Sequence, residues 1–83
     1  MGDLAKALGK KIREARKAKA LSQEVLALVC QVDRSYMGRI ERGEVNLTVE
    51  KLYQIAASLG CTPSSLLPEI IRSATEDSHQ SAL

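Results

Sequence analysis

The sequence predicts a single all-α domain, and three observations support this fold class. The chain has 83 residues, which is the size range of one small hydrophobic core. Ala, Leu, Lys, Glu and Arg dominate, whereas Val, Ile and Thr do not form the alternating runs that are typical of strands. Only two residues are aromatic, Tyr36 and Tyr53, so we expect an aliphatic core.

The first two helices are predicted from apolar spacing and a capping residue. We expect an amphipathic helix over residues 4–19, because apolar positions recur there at helical spacing between charged residues. Those positions are Leu4, Leu8, Ile12 and Ala15. Ser22 has the short side-chain oxygen that can cap free backbone N–H groups, which predicts a second helix from Gln23 to Val29. Its buried residues would be Leu26, Ala27 and Cys30.

The third helix is predicted to start after the capping residue Asp33 and to end at Gly43. Met37 and Ile40 are spaced so that both face the core. The exposed side would then carry Arg34, Ser35, Gly38 and Arg39. A glycine inside a helix costs roughly 1 kcal/mol relative to alanine, so Gly38 suggests close approach of another surface. A nucleic-acid groove is one such surface, because arginine can bond two acceptors of guanine at once.

Two more helices are predicted in the second half of the chain. Thr48 would cap a fourth helix that stops at Gly60. Thr62 and Pro63 would begin a short fifth helix, which Pro68 bends or ends. The apolar residues of these two helices are Leu52, Ile55, Ala56, Leu59, Leu66 and Leu67.

The sequence argues against several classes of function. No apolar run approaches the roughly 18 residues needed to span a bilayer, so we expect no membrane segment and a cytoplasmic protein. Cys30, Cys61 and the single histidine, His79, have no metal-ligand spacing, so we expect no metal. The sequence has no nucleophile-base pair, carboxylate pair or phosphate loop, so we expect neither an enzyme nor a cofactor.

The charges are distributed unevenly along the chain. Residues 1–20 carry seven basic and two acidic side chains, whereas residues 44–83 carry two basic and five acidic ones. Such an imbalance suits a protein that turns one face toward a polyanion, although a basic first helix can also be a solvated surface.

Three segments occur in register: LSQEVLA, VDRSYMGRIERG and LTVEKLYQIAASLG. With them the chain resembles the phage-repressor-like helix-turn-helix proteins, also called the xenobiotic-response-element family, and it is most similar to the restriction-modification controller-like members. The resemblance spans roughly residues 12–67. It implies a five-helix, lambda-repressor-like DNA-binding domain in which helices 2 and 3 form the helix-turn-helix.

The resemblance also implies roles for individual residues. The residues at base-edge positions are Arg34, Ser35 and Arg39. Those at positions that contact the DNA backbone or the groove edge are Gln23, Tyr36, Arg42, Asn46, Thr48 and Lys51. Arg16 would form a structural ion pair with Glu41. For the arginines and for Gln23 the alternative is simple solvation, and for Tyr36 it is a place in the core.

Two positions depart from the family pattern. The turn position usually held by glycine is Gln31, which requires either a positive φ or a different turn. The position of the reciprocal capping glutamate is Val25, so that part of the helix cap is missing.

The C-terminal end of the predicted domain carries four large apolar residues: Leu66, Leu67, Ile70 and Ile71. We expect an ordered domain over residues 1–71, a flexible tail over residues 72–83, and a homodimer interface at this cluster, because one recognition helix contacts too few base pairs for specificity. The alternative for the cluster is inward packing. The predicted function is a sequence-specific regulator that binds an inverted repeat in double-stranded DNA; the alternative is an antitoxin or interaction module whose C-terminal segment binds a protein.

Overall fold

The computed structural model describes residues 2–68, which form four α-helices and one short turn of 3-10 helix. The α-helices are α1 (Asp3–Ala18), α2 (Gln23–Val29), α3 (Arg34–Glu41) and α4 (Val49–Leu59). No strand occurs among these residues. The all-α prediction is therefore confirmed for the described part of the chain.

The predicted count of five helices is not confirmed. Residues Pro63–Leu66 form a single 3-10 turn in place of a fifth α-helix. Leu67 is already extended, at φ −77° and ψ 134°, as expected of a residue that precedes proline. Pro68 also lacks the N–H that the next helical hydrogen bond needs, so two prolines five residues apart leave room for one turn only.

Side-chain caps start two of the helices as the sequence predicts. The Val25 N–H donates to Ser22 Oγ at 3.0 Å at the start of α2, and the Lys51 N–H donates to Thr48 Oγ1 at 3.1 Å at the start of α4. Asp33 occupies the cap position of α3 but makes no capping hydrogen bond, which corrects the prediction for this residue. The backbone of Asp33 is extended, so the position is right and only the side-chain bond is missing.

The core is aliphatic, as the shortage of aromatic residues predicts, except for the thiol of Cys30 and the thioether of Met37. Ten hydrophobic residues are buried: Ile12, Leu26, Ala27, Cys30, Met37, Ile40, Ile55, Ala56, Leu59 and Leu66. They come from every helix, and α3 packs against both α1 and α2, while α4 contacts α2 and the 3-10 turn. Because Met37 and Ile40 on one side of α3 are buried in the core, the opposite side of this helix faces solvent.

All four α-helices end in the same backbone motif, in which a residue with positive φ follows the last turn. The glycines Gly43 and Gly60 hold this position after α3 and α4, as predicted. After α1 and α2 it is held by Ala20 at φ 57° and Gln31 at φ 59°. At Gln31 the chain therefore keeps the turn geometry and accepts the positive φ, which is the first of the two alternatives that the sequence left open.

This strain at the turn between α2 and α3 predicts that Gln31→Gly stabilises the fold. A side chain with a Cβ costs roughly 1–2 kcal/mol in the left-handed region, and glycine gives back about 0.5–1 kcal/mol through the unfolded chain. We expect a net gain of about 0.5–1 kcal/mol in the free energy of unfolding, measured by urea denaturation. The control is Ala57→Gly on the exposed surface of α4, which should lose about 1 kcal/mol. Equal losses in both variants would contradict the strain at Gln31.

Candidate nucleic-acid interface

Helices α2 and α3 form a pair joined by a tight turn over residues 30–33. Leu26 and Ala27 of α2 and Met37 and Ile40 of α3 are all buried, which locks the two helices together. The turn is closed by two backbone hydrogen bonds, from Gln31 N to Leu28 O and from Val32 N to Ala27 O. The second helix of the pair is thereby held with one face outward.

The exposed side of α3 borders an open pocket of about 360 Å³. The residues that line it are Gln23, Arg34, Ser35, Gly38, Arg39 and Arg42. The three predicted base-edge residues are therefore brought together with two of the predicted backbone-contact residues. Three guanidinium groups, one amide and one hydroxyl supply mostly hydrogen-bond donors, so the pocket suits a ligand that presents acceptors or negative charge.

Gly38 lies at the bottom of this pocket and is buried, whereas the sequence predicts it on the exposed side. A Cβ placed on Gly38 would lie 3.1 Å from Arg42 Nη1 and 3.5 Å from Gln23 Oε1. Two long polar side chains therefore cross over the glycine and cover it. The close approach inferred from the sequence is present, but the chain's own side chains make it.

A buried ion pair ties α1 to the end of α3, as the resemblance implies. Arg16 Nε lies 2.8 Å from Glu41 Oε2, and Arg16 Nη2 donates to Glu41 Oε1 at 3.1 Å. Arg16 Nη1 also donates to the Leu21 carbonyl, and Gln23 Nε2 donates to Glu41 Oε1 at 3.1 Å. The Glu41 side chain is only 3% exposed. This network fixes Gln23 in the pocket wall and links the pocket to α1.

A second carboxylate near the pocket was not predicted. Glu44, just after α3, accepts from Arg42 Nε at 2.8 Å and from Arg42 Nη2 at 3.3 Å, and its Oε1 lies 3.9 Å from Arg39 Nε. The hydrogen bond from Arg42 and the positive charges of both arginines lower the pKa of Glu44 against an opposing effect of desolvation. The same hydrogen bond raises the pKa of Arg42. Both groups are therefore charged at neutral pH.

The remaining predicted contact residues lie outside the pocket. Tyr36 is half-buried: its side chain packs against the core, as the alternative for it predicts, and part of it stays accessible to a ligand. Asn46 is exposed, and the Thr48 hydroxyl accepts the capping bond of α4. Lys51 is half-buried, and its Nζ donates to Gln54 Oε1 at 3.2 Å.

The predicted dimer residues are only partly within the described residues. Leu66 is 2% exposed and belongs to the core of its own chain, so for this residue inward packing replaces the predicted interface. Its 3-10 turn points it back onto the helices, which the sequence pattern does not reveal. Leu67 is half-buried. Ile70 and Ile71 lie outside the described residues.

Residues 2–68 lack the features of a membrane span and of a metal site. Within that range no helix is both long and apolar enough to cross a bilayer. No group of three or more potential metal-ligating side chains occurs there either. Cys30 is a buried free thiol whose Sγ lies 3.4 Å from Ser58 Oγ, and Cys61 is a half-buried free thiol.

Comparison with known proteins supports the helix-turn-helix assignment. The family described as Helix-turn-helix, HTH_3, matches residues 12–66 of this chain. Control protein C.BamHI of Bacillus amyloliquefaciens is 40% identical over 60 residues, which cover 71% of this chain and 74% of that protein. Control protein C.MunI of a Mycoplasma species is 39% identical over 71 residues, which cover 84% of this chain and 96% of that protein.

A solved structure agrees with the sequence comparison. The crystal structure of the restriction-modification controller protein C.AhdI from Aeromonas hydrophila matches with a TM-score of 0.73 and 43% sequence identity. The match covers 78% of this chain and 97% of that one. The resemblance carried by the three sequence segments is therefore confirmed at the level of both sequence and fold.

Proposed function

Because this chain belongs to the helix-turn-helix family of DNA-binding transcription regulators, we propose that it binds a specific sequence of double-stranded DNA. The family is not a family of enzymes. A homodimer contacts an inverted-repeat operator, and α3 of each subunit enters the major groove. The main support is that Arg34, Ser35 and Arg39 line one pocket on the solvent side of α3. The proposal includes a cytoplasmic location, because the relatives come from bacteria, whose DNA lies in the cytoplasm.

The dimensions and chemistry of α3 suit the major groove. With its side chains an α-helix is about 10–12 Å in diameter, and the major groove of B-DNA is about 12 Å wide, so the groove can hold α3. Arg34 and Arg39 can each donate two hydrogen bonds to the O6 and N7 of guanine, and Ser35 can bond either a base edge or a phosphate. The apolar side of α3 is already used by the core, so the polar side is the one available for DNA.

Phosphate contacts would come from the elements around α3. Gln23 is the first residue of α2, and Thr48 precedes α4, so free backbone N–H groups lie beside both. The Thr48 hydroxyl accepts the cap bond with its oxygen and keeps its proton for a phosphate. Tyr36, Arg42, Asn46 and Lys51 complete the proposed backbone contacts.

The homodimer is part of the proposal because one α3 covers too few base pairs for useful specificity. We propose that Leu67, Ile70 and Ile71 form the dimer interface. We also propose that the chain consists of a domain over residues 1–71 and a tail over residues 72–83.

The proposal is tested by selecting bound sequences from a pool of random duplex DNA and comparing wild type with Arg39→Ala. We expect an inverted repeat to be enriched and bound by two copies of the chain, as measured by sedimentation of the complex. Loss of a bidentate contact costs about 1–3 kcal/mol in each half-site and therefore about 2–6 kcal/mol for the dimer, so Arg39→Ala should bind the operator at least about 30-fold more weakly. It should also tolerate base changes at one position of each half-site.

The matched control is Lys11→Ala, which removes the same charge from the exposed surface of α1. It should keep the base preference and change the affinity far less than Arg39→Ala does. If nothing is enriched and both variants bind weakly and equally, the proposed function is wrong. A protein partner of the C-terminal segment would then be the next candidate.

A further inference from the structure

Glu44 lies where the basic pocket would meet DNA, although it carries the charge that DNA repels. Its carboxylate engages Arg42 with both oxygens, at 2.8 and 3.3 Å, and approaches Arg39 at 3.9 Å. Arg39 is a proposed base-edge residue and Arg42 a proposed backbone contact. These are the only described ion pairs of the two arginines in residues 2–68.

The fold itself brings Glu44 to this place. The Glu44 N–H donates to the Arg39 carbonyl at 2.9 Å and the Gly43 N–H to the Ile40 carbonyl at 3.0 Å, which reverses the chain directly after α3. Gly43 has φ 74°, and a Cβ there would lie 2.5 Å from Lys6 Cα. The turn is therefore closely packed against α1, and it directs residue 44 back toward the side chains of α3.

Carboxylate and phosphate oxygens compete for the same arginine donors. Both accept two parallel N–H hydrogen bonds from one edge of a guanidinium, so a phosphate cannot use the Nε and Nη2 donors of Arg42 while these hold Glu44. The remaining nitrogen, Nη1, lies against Gly38. The pair is exposed, with 60% of the Arg42 and 49% of the Glu44 side chain accessible, so exchange for another anion is not blocked by packing.

We propose that Glu44 is an internal competitor of the DNA phosphates for Arg42, and more weakly for Arg39, so that it lowers the affinity for DNA and its dependence on salt. This inference rests on the proposed function. When Arg42 moves from Glu44 to a phosphate, it exchanges one anion for another. DNA binding depends on salt because basic side chains release counterions from the phosphates. A contact made by an arginine that leaves a carboxylate adds less to this net release of ions.

The test is Glu44→Gln, which keeps the shape and the acceptor oxygen but removes the charge. We expect about two- to fivefold tighter binding at low salt for each subunit of the bound dimer, the range that an exposed ion pair supports. The slope of log K against log salt should become steeper by about 0.9 per subunit, the value for one additional phosphate contact to B-DNA, and so by about 1.8 for the dimer. The two proteins should therefore approach the same affinity at high salt.

Two further variants separate this effect from a general change in charge. Glu50→Gln removes one charge from the exposed first turn of α4, and Glu50 has no ion-pair partner within residues 2–68, so the salt slope should not change. In the Arg42→Ala background, Glu44→Gln should lose most of its effect. Unchanged or weaker binding by Glu44→Gln, or an equal effect of Glu50→Gln, would overturn the inference.

Elution from a heparin column distinguishes failure of the inference from failure of the proposed function. Heparin presents sulfate and carboxylate groups without a base sequence, so it tests anion binding by the basic side chains separately from operator recognition. If Glu44 competes for Arg42, Glu44→Gln elutes at higher salt than wild type and Glu50→Gln, whether or not an operator exists. If wild type binds no duplex DNA but Glu44→Gln still elutes at the highest salt, the proposed function is wrong and the competition for Arg42 is supported. If wild type, Glu44→Gln and Glu50→Gln elute at the same salt concentration, the competition is refuted.

Discussion

Replacing Arg16 by methionine is expected to lower the free energy of unfolding by about 3–5 kcal/mol, the usual cost of removing one partner of a buried ion pair. The Glu41 side chain is 3% exposed and would keep only the hydrogen bond from Gln23 Nε2. The Leu21 carbonyl would also lose the donor Arg16 Nη1. Urea denaturation followed by circular dichroism measures this loss, which is a large fraction of the 5–15 kcal/mol typical of a whole domain.

The control for Arg16→Met is Lys17→Met, the same change at the next residue of α1, where the side chain is exposed and the described residues offer no carboxylate partner. It should change the stability by less than about 0.5 kcal/mol. The double variant Arg16→Met/Glu41→Leu should recover much of the loss, because the uncompensated charge is removed. If Arg16→Met costs no more than Lys17→Met, the ion pair does not hold α1 against α3.

The same ion pair connects stability with the proposed DNA contact. Glu41 accepts from Arg16 on one side and from Gln23 on the other, so the position of Gln23 in the pocket wall depends on both. We therefore expect any folded Arg16→Met protein to bind DNA less tightly than wild type, as an effect on the positioning of Gln23.

Signals that act over a few residues were predictable from the sequence. The Ser22 and Thr48 caps need only an oxygen placed three residues before an N–H group, and the ends of α3 and α4 need only a glycine. The exposed side of α3 follows from the spacing of Met37 and Ile40. For this reason the sequence alone predicts that Arg34, Ser35 and Arg39 lie on the exposed side of this helix.

Features that depend on distant parts of the chain were not predictable in the same way. Gly38 is covered by Gln23 from another helix, so helical periodicity alone placed it wrongly on the surface. Glu44 lies outside every helix, where no periodic pattern applies, and its role follows only from the turn that folds it onto Arg42.

Gly9→Ala is expected to destabilise the protein by about 2–3 kcal/mol, although alanine is the better helix former by about 1 kcal/mol. A Cβ on Gly9 would lie 2.5 Å from the Ile40 carbonyl oxygen and 2.7 Å from that of Glu41. Both are backbone atoms at the end of α3, so the clash can be relieved only if α1 and α3 separate. That movement would also stretch the ion pair between Arg16 and Glu41, which spans the same helix contact.

Gly38→Ala is the matched control, because it makes the same substitution in another helix with different neighbours. The nearest atoms to its new Cβ are Arg42 Nη1 at 3.1 Å and Gln23 Oε1 at 3.5 Å, which are the ends of flexible side chains and can move. The helix preference for alanine should therefore dominate, and stability should rise by up to about 1 kcal/mol. If thermal or urea unfolding shows that Gly9→Ala lowers the free energy of unfolding and Gly38→Ala raises it, the backbone contact at Gly9 sets the distance between α1 and α3. Equal stabilisation of both variants would contradict the close contact at Gly9.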